Sequence, residues 1–132
     1  MANNLKLHIP WVIWLCLVSF LSLTPGDKLP NITFDLFRID TAAHILMYLF
    51  LVFLMLLGFF HQNNELNRFW VVGIVVYVML VGLLIEVAQG SMVSNRFFGW
   101  DDIVANSVGT FIGLLCYAGY KKKELNLVRF LQ

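Results

Sequence analysis

Whatever chemistry this chain performs falls to seven polar side chains, Asp40, His44, Glu86, Gln89, Arg96, Asp102 and Asn106, set in a sequence that is otherwise mostly hydrocarbon. A histidine beside carboxylates can ligate a divalent cation or pass a proton as general acid or base. His44, Glu86 and Asp102 are therefore the candidate catalytic groups. Arg96 can clamp a phosphate or carboxylate with two parallel hydrogen bonds, or it can serve as counter-charge to Glu86 and Asp102. A structural use competes with these, because carboxylates, imidazole and amides that hydrogen-bond one another lock helix ends together. Both cysteines, Cys16 and Cys116, lie in apolar runs and read as buried, unpaired thiols. No serine sits in a nucleophile-type turn, and no CxxC, HExxH or phosphate-cradling glycine loop is present.

The spacing groups these residues. Asp40 and His44 stand one helical turn apart, as do Asp102 and Asn106, while Glu86 and Gln89 fall on adjacent faces of one helix. Asp102, Asn106, Gly109 and Gly113 continue along a single face, with polar groups at its start and glycine gaps for close helix contact further on. Asn106 lies deeper and reads as an interhelical hydrogen-bond donor before a ligand.

Membrane helices must position these groups. With 60% hydrophobic and 13% charged residues, a 132-residue chain has too little polar surface to cover a soluble domain. The expectation is all-α: one domain over residues 1–132, an integral membrane four-helix bundle with helices at about 9–24, 41–60, 69–90 and 102–120. The first apolar run has the look of a signal peptide but lacks a small-residue cleavage signature. Thr24-Pro25-Gly26 reads as a helix stop, and Pro10 suits a first helical turn. Between the first two helices, Phe34-Asp35-Leu36-Phe37-Arg38 alternates apolar and charged groups, so either a short interfacial helix or an irregular loop is expected there. The short connection over 61–68 makes the second and third helices antiparallel, and the fourth should stop at the lysines of 121–123.

Orientation follows from the cations. Lys6, Arg68, Lys121, Lys122, Lys123 and Arg129 fall on one side of such a bundle, and Lys28, Arg38 and Arg96 on the other. The excess places both termini in the cytoplasm and the polar groups at the extracytoplasmic boundary. Tyr48, Phe97, Phe98 and Trp100 then read as an interfacial aromatic belt, and His8 and His61 as solvated residues at the cytoplasmic helix ends. The low net charge of +1, with no soluble basic patch, argues against nucleic-acid partners.

In order along the chain, D-x-x-x-H (Asp40, His44), E-x-x-Q (Glu86, Gln89) and R-x-x-x-x-x-D-x-x-x-N-x-x-G-x-x-x-G (Arg96, Asp102, Asn106, Gly109, Gly113) resemble the VanZ-like family of small membrane proteins. Ser22-Leu23-Thr24-Pro25 is similar to that family's S-L-x-P turn. The resemblance implies a bacterial membrane protein with a link to glycopeptide (teicoplanin) resistance. Many members carry D-K-x-x-H. Thr41 stands at the lysine position here, which removes a cationic contact for an anionic ligand. The turn at Met92-Val93-Ser94-Asn95 also lacks the proline often found there.

The leading functional expectation is an outward-facing polar pocket that binds or protects an anionic cell-envelope component, a lipid head group or a peptidoglycan precursor. Its ligand-binding residues would be Asp40, His44, Glu86, Gln89, Arg96, Asp102 and Asn106, with Gly109 and Gly113 for helix packing. A membrane-embedded enzyme working on such a lipid by acid/base or metal-assisted chemistry is the alternative, and a purely structural helper bundle is a third. Membrane lipids are the expected partners. No cofactor is expected, and a divalent metal is the less favoured reading because only one histidine is available.

Overall fold

The computed structural model describes residues 2–25, 36–94 and 97–131, and side chains over 4–25, 39–94 and 97–124. Its described elements are four helices, α1 (Ala2–Ser22), α2 (Leu36–Asn63), α3 (Arg68–Met92) and α4 (Trp100–Leu131). All four are long and apolar enough to cross a membrane, over Asn4–Ser22, Ile39–Asn63, Arg68–Met92 and Trp100–Glu124. The distribution of polarity agrees. Leu5, Phe20, Phe69, Leu84, Met92 and Phe111 are largely exposed on the outside, while His44, Glu86, Gln89, Asn106 and Thr110 are buried within. In water that arrangement would forfeit the hydrophobic effect, whereas lipid solvates the outer surface.

Antiparallel packing follows from short, well-capped turns. α2 closes with Asn64 in the left-handed region (φ 59°), a conformation asparagine tolerates at a helix C-terminus. Asn67 then caps α3, its side chain accepting from Trp70 N at 3.0 Å. α2 is the central helix, with 44% of its span buried against 11% of α1. Its buried face, Tyr48, Leu51, Val52, Met55, Leu56 and Phe60, meets Ile74, Val78 and Ile85 of α3 and Tyr117 of α4 in one core.

α2 and α4 approach most closely because α4 offers no side chain where they cross. A Cβ on Gly109 would lie 2.9 Å from the carbonyl carbon of Ile45 and closer still to its oxygen, and one on Gly113 would lie 2.5 Å from Leu49 O. Both obstructions are backbone, which cannot swing aside. α1 lies against the outside of α2, with Trp14 Nε1 donating to Met47 O at 2.9 Å and Gly58 packed on Leu7 O.

Several boundaries differ from the sequence reading. α1 begins at Ala2, so Pro10 lies inside the helix and leaves the Lys6 carbonyl without its helical donor at an exposed position. α2 begins at Leu36, so Leu36, Phe37 and Arg38 form its first turn, while Phe34 and Asp35 lie outside the described residues. α4 does not stop at the lysines but runs on to Leu131. Lysine, glutamate and leucine are good helix formers, so the charges end the membrane span without ending the helix. Cys16 and Cys116 are unpaired but exposed on the apolar outer face, not buried.

Candidate functional site

At the end of the bundle where α2 and α4 begin and α3 finishes, helix spacing brings one side chain after another onto the imidazole of His44. Asp40 precedes it by one turn on α2, and its Oδ1 lies 3.9 Å from His44 Nε2. Asp102, in the first turn of α4, places Oδ1 4.0 Å from the same nitrogen. A carboxylate is favoured in that first turn because it faces the positive end of the helix dipole. On the other side of the ring, Nδ1 donates to Asn106 Oδ1 at 2.9 Å, and Glu86 Oε1 from α3 is 3.9 Å away. Asn106 can come that close because Gly109, one turn below it, lets α4 rest on the α2 backbone.

Burial grades the cluster. The Asp40 side chain is 45% exposed and Asp102 14%, whereas His44 is 3% exposed and Glu86 fully buried. The cluster is therefore open at Asp40 and closed at Glu86. Glu86 Oε2 receives only a long contact, 3.5 Å, from Gly99 N, and Oε1 has no hydrogen-bond partner among the described residues. Leaving a buried carboxylate so poorly met costs several kcal/mol.

The described cations cannot balance this charge. His8 Nε2 bonds to Gln62 Oε1 and Tyr120 OH meets His61 Nε2 at 3.3 Å, so the start of α1 and the far parts of α2 and α4 converge at the other end. Lys6, Arg68 and the lysines of 121–123 belong to that end. Ligand atoms of Asp40, His44 and Asp102 all lie within 4.8 Å of one another, a separation at which one cation could be shared.

Of the residues singled out by spacing, Asp40, His44, Glu86, Asp102 and Asn106 meet. Gln89 is buried three residues beyond Glu86, and its Oε1 has no hydrogen-bond partner among the described residues. Arg96 lies outside the described residues. Thr41 is half-buried beside Asp40. Tyr48 is a correction: it is fully buried instead of joining an interfacial belt, and it rests on Gly82, where an added Cβ would be 3.3 Å from its hydroxyl oxygen. It stands one turn after His44 on α2, and Gly82 one turn before Glu86 on α3, so Tyr48 floors the cluster. Its four-residue distance from His44 was the available signal. Phe97 and Trp100 are exposed at this end.

His8 is half-buried and held by its neighbours: Trp11 Nε1 donates to its Nδ1 at 2.8 Å, and its ring stacks edge-on against Phe59 at 4.8 Å. His61 is exposed.

The sequence model of the VanZ/LLP1 family matches residues 6–121. No curated protein and no solved structure matches the chain. Since the match spans all four membrane helices and every residue of the cluster, the chain belongs to the VanZ/LLP1 family.

Proposed function

We propose that this family member lies in the cell membrane with both termini in the cytoplasm and uses the His44 cluster, at the extracytoplasmic boundary, to bind the head group of an anionic envelope component. The orientation rests on the segregation of charge: Lys6, Arg68 and the lysines of 121–123 share the end remote from Asp40 and Asp102. The observation that carries the functional reading is a buried imidazole at the meeting of three carboxylates from three helices, open to the surface at Asp40. Arg96, by its place in the sequence between α3 and α4, supplies a guanidinium to clamp phosphate or carboxylate.

An apolar groove of about 260 Å³ between α1 and α2, lined by Trp14, Leu17, Leu21, Ala43, Leu46 and Phe50 among others, lies at the level of His44 along α2 and would take an acyl chain of the same lipid. A peptidoglycan precursor on a lipid carrier and a phospholipid share this chemistry. Glycopeptide resistance would follow if the bound component were the antibiotic's target. Purification in mild detergent followed by identification of co-purified lipid tests the reading. An anionic lipid should be retained by the wild type and lost from Arg96→Ala. No retained lipid, together with envelope phenotypes unchanged by Arg96→Ala, would sink it.

One observation favours catalysis as a second reading: Glu86 is fully buried beside the Nδ1 side of His44, so the two can hand a proton between buried and open parts of the site. Turnover of an envelope lipid would then show a bell-shaped pH profile and disappear in His44→Ala and Glu86→Gln with the fold intact. Activity retained in both variants would reject these roles. If the cluster only locks helices, the same substitutions would lower thermal stability in proportion to lost function.

A further inference from the structure

We infer that Asp40, His44 and Asp102 form a binding site for one divalent first-row cation, with Zn²⁺ ahead of Mn²⁺. A single histidine in the cluster argues weakly for a metal, and the geometry strengthens the case in three steps.

The first is the tautomer. Nδ1 of His44 lies 2.9 Å from Asn106 Oδ1, an acceptor at hydrogen-bond distance, whereas the carboxylate oxygens on Nε2 stand at 3.9 and 4.0 Å, so the ring proton belongs on Nδ1. Nε2 then directs a lone pair toward Asp40 Oδ1 and Asp102 Oδ1, and three electron-rich atoms confront one another. A metal-ligating histidine is commonly fixed in this way, its other nitrogen donating to a carbonyl or carboxylate.

The second is distance. Were His44 an imidazolium bonded to these carboxylates, charge-assisted hydrogen bonds would draw them to about 2.7–2.9 Å. They stand at 3.9 and 4.0 Å instead. Bonds of about 2.1 Å in a tetrahedral site separate ligand atoms by roughly 3.4 Å. Both nitrogen–oxygen spacings are nearer to those around a shared ion than to a hydrogen-bonded pair, and with all three ligand atoms within 4.8 Å of one another side-chain rotation would close the remainder.

The third is Glu86. Its fully buried carboxylate, with Oε1 unpartnered among the described residues, points at the ring from the side opposite the ion. There its negative charge would favour the proton that Nδ1 donates to Asn106 and strengthen Nε2 as a ligand, so it is a positioning residue and not a ligand itself. Two aspartates neutralise a divalent charge, and one imidazole nitrogen selects against Mg²⁺ and Ca²⁺, which prefer all-oxygen sites. The half-exposed Asp40 provides the entry path and leaves coordination positions facing outward. The site stands whether or not a head group docks there. Where one does, its phosphate or carboxylate would complete the coordination.

The test is titration of delipidated, chelator-treated protein in detergent with Zn²⁺ and with Mn²⁺ alone, Mg²⁺ serving as the reference. One Zn²⁺ per chain should bind at least tenfold more tightly than Mg²⁺, and Co²⁺ in its place should give visible absorption of a nitrogen- and oxygen-ligated ion. Asp102→Asn and Asp40→Asn, which keep side-chain shape, should each weaken binding, and His44→Ala should abolish it. Asn106→Ala should weaken it about 10- to 100-fold through the lost ring anchor. His8→Ala should bind as the wild type does. Wild-type protein that takes up no Zn²⁺, or aspartate variants that bind as tightly as the wild type, would overturn the inference. Because no lipid is present in this titration, its failure leaves the head-group reading standing, and absence of co-purified lipid leaves the ion site standing.

Discussion

His8 and His44 occupy opposite ends of the same bundle, and both are held by the neighbouring helices. At the His8 end every partner is neutral: Trp11 donates to Nδ1, Gln62 accepts from Nε2, and Phe59 covers the ring. One tautomer satisfies all of it. At the His44 end only Asn106 is neutral, and three carboxylates stand about 4 Å off without closing into hydrogen bonds with the ring. The first pattern is what tertiary packing selects when a histidine serves only to join helices. The second buries a carboxylate, Glu86, whose Oε1 has no hydrogen-bond partner among the described residues, which is costly for packing alone.

The largest disturbance of this contrast should come from the backbone beneath it. Gly109→Val would drive a branched side chain into the Ile45 carbonyl and part α2 from α4, removing Asn106 from His44. A loss of more than about 3 kcal/mol, at the upper end for overpacking, is expected as a large fall in thermal midpoint in detergent. Gly119→Ala, at a position with nothing within 4 Å, should instead be neutral or gain up to about 1 kcal/mol from helix propensity. Equal effects at both glycines would undo the claim that the crossing builds the site.

His44→Ala comes next. It strips the imidazole from among its neighbours and should cost about 3 kcal/mol, the upper end for leaving a buried hydrogen-bonding group unmet, together with all binding at the site. Glu86→Gln sharpens the comparison further. It removes the charge but not the volume, so thermal stability should hold or rise while ligand or metal binding falls. Parallel loss of both would return the cluster to a structural lock. The smallest effect is reserved for the other end, where His8→Ala should cost about 1–2 kcal/mol for its two hydrogen bonds and leave binding untouched.

Much of this was legible in the sequence, since the periods of α2, α3 and α4 already put Asp40 with His44, and Asp102 with Asn106, Gly109 and Gly113, on shared faces. Periodicity names a face but not its neighbour. Tyr48 therefore passed for an interfacial aromatic, and only Gly82 across the core shows why a tyrosine fits there. The partner of His8 was hidden for the same reason, because Gln62 is distant in sequence and meets it only after α1 has packed on α2. The cysteines illustrate the membrane's inversion of a soluble rule: an apolar run implies burial in water, but lipid accepts Cys16 and Cys116 on the outside. Helix ends were missed at Ala2 and Leu131 because hydropathy marks where the bilayer stops and hydrogen bonding marks where the helix does.

Native mass spectrometry of the detergent-extracted protein, comparing wild type, Glu86→Gln and His8→Ala for retained lipid and divalent metal, tests the contrast most directly. The expected result is a bound species on wild type and His8→Ala that is diminished or absent on Glu86→Gln, with all three folded. Equal retention by all three, or none on the wild type, would contradict the assignment of the His44 end as the working site.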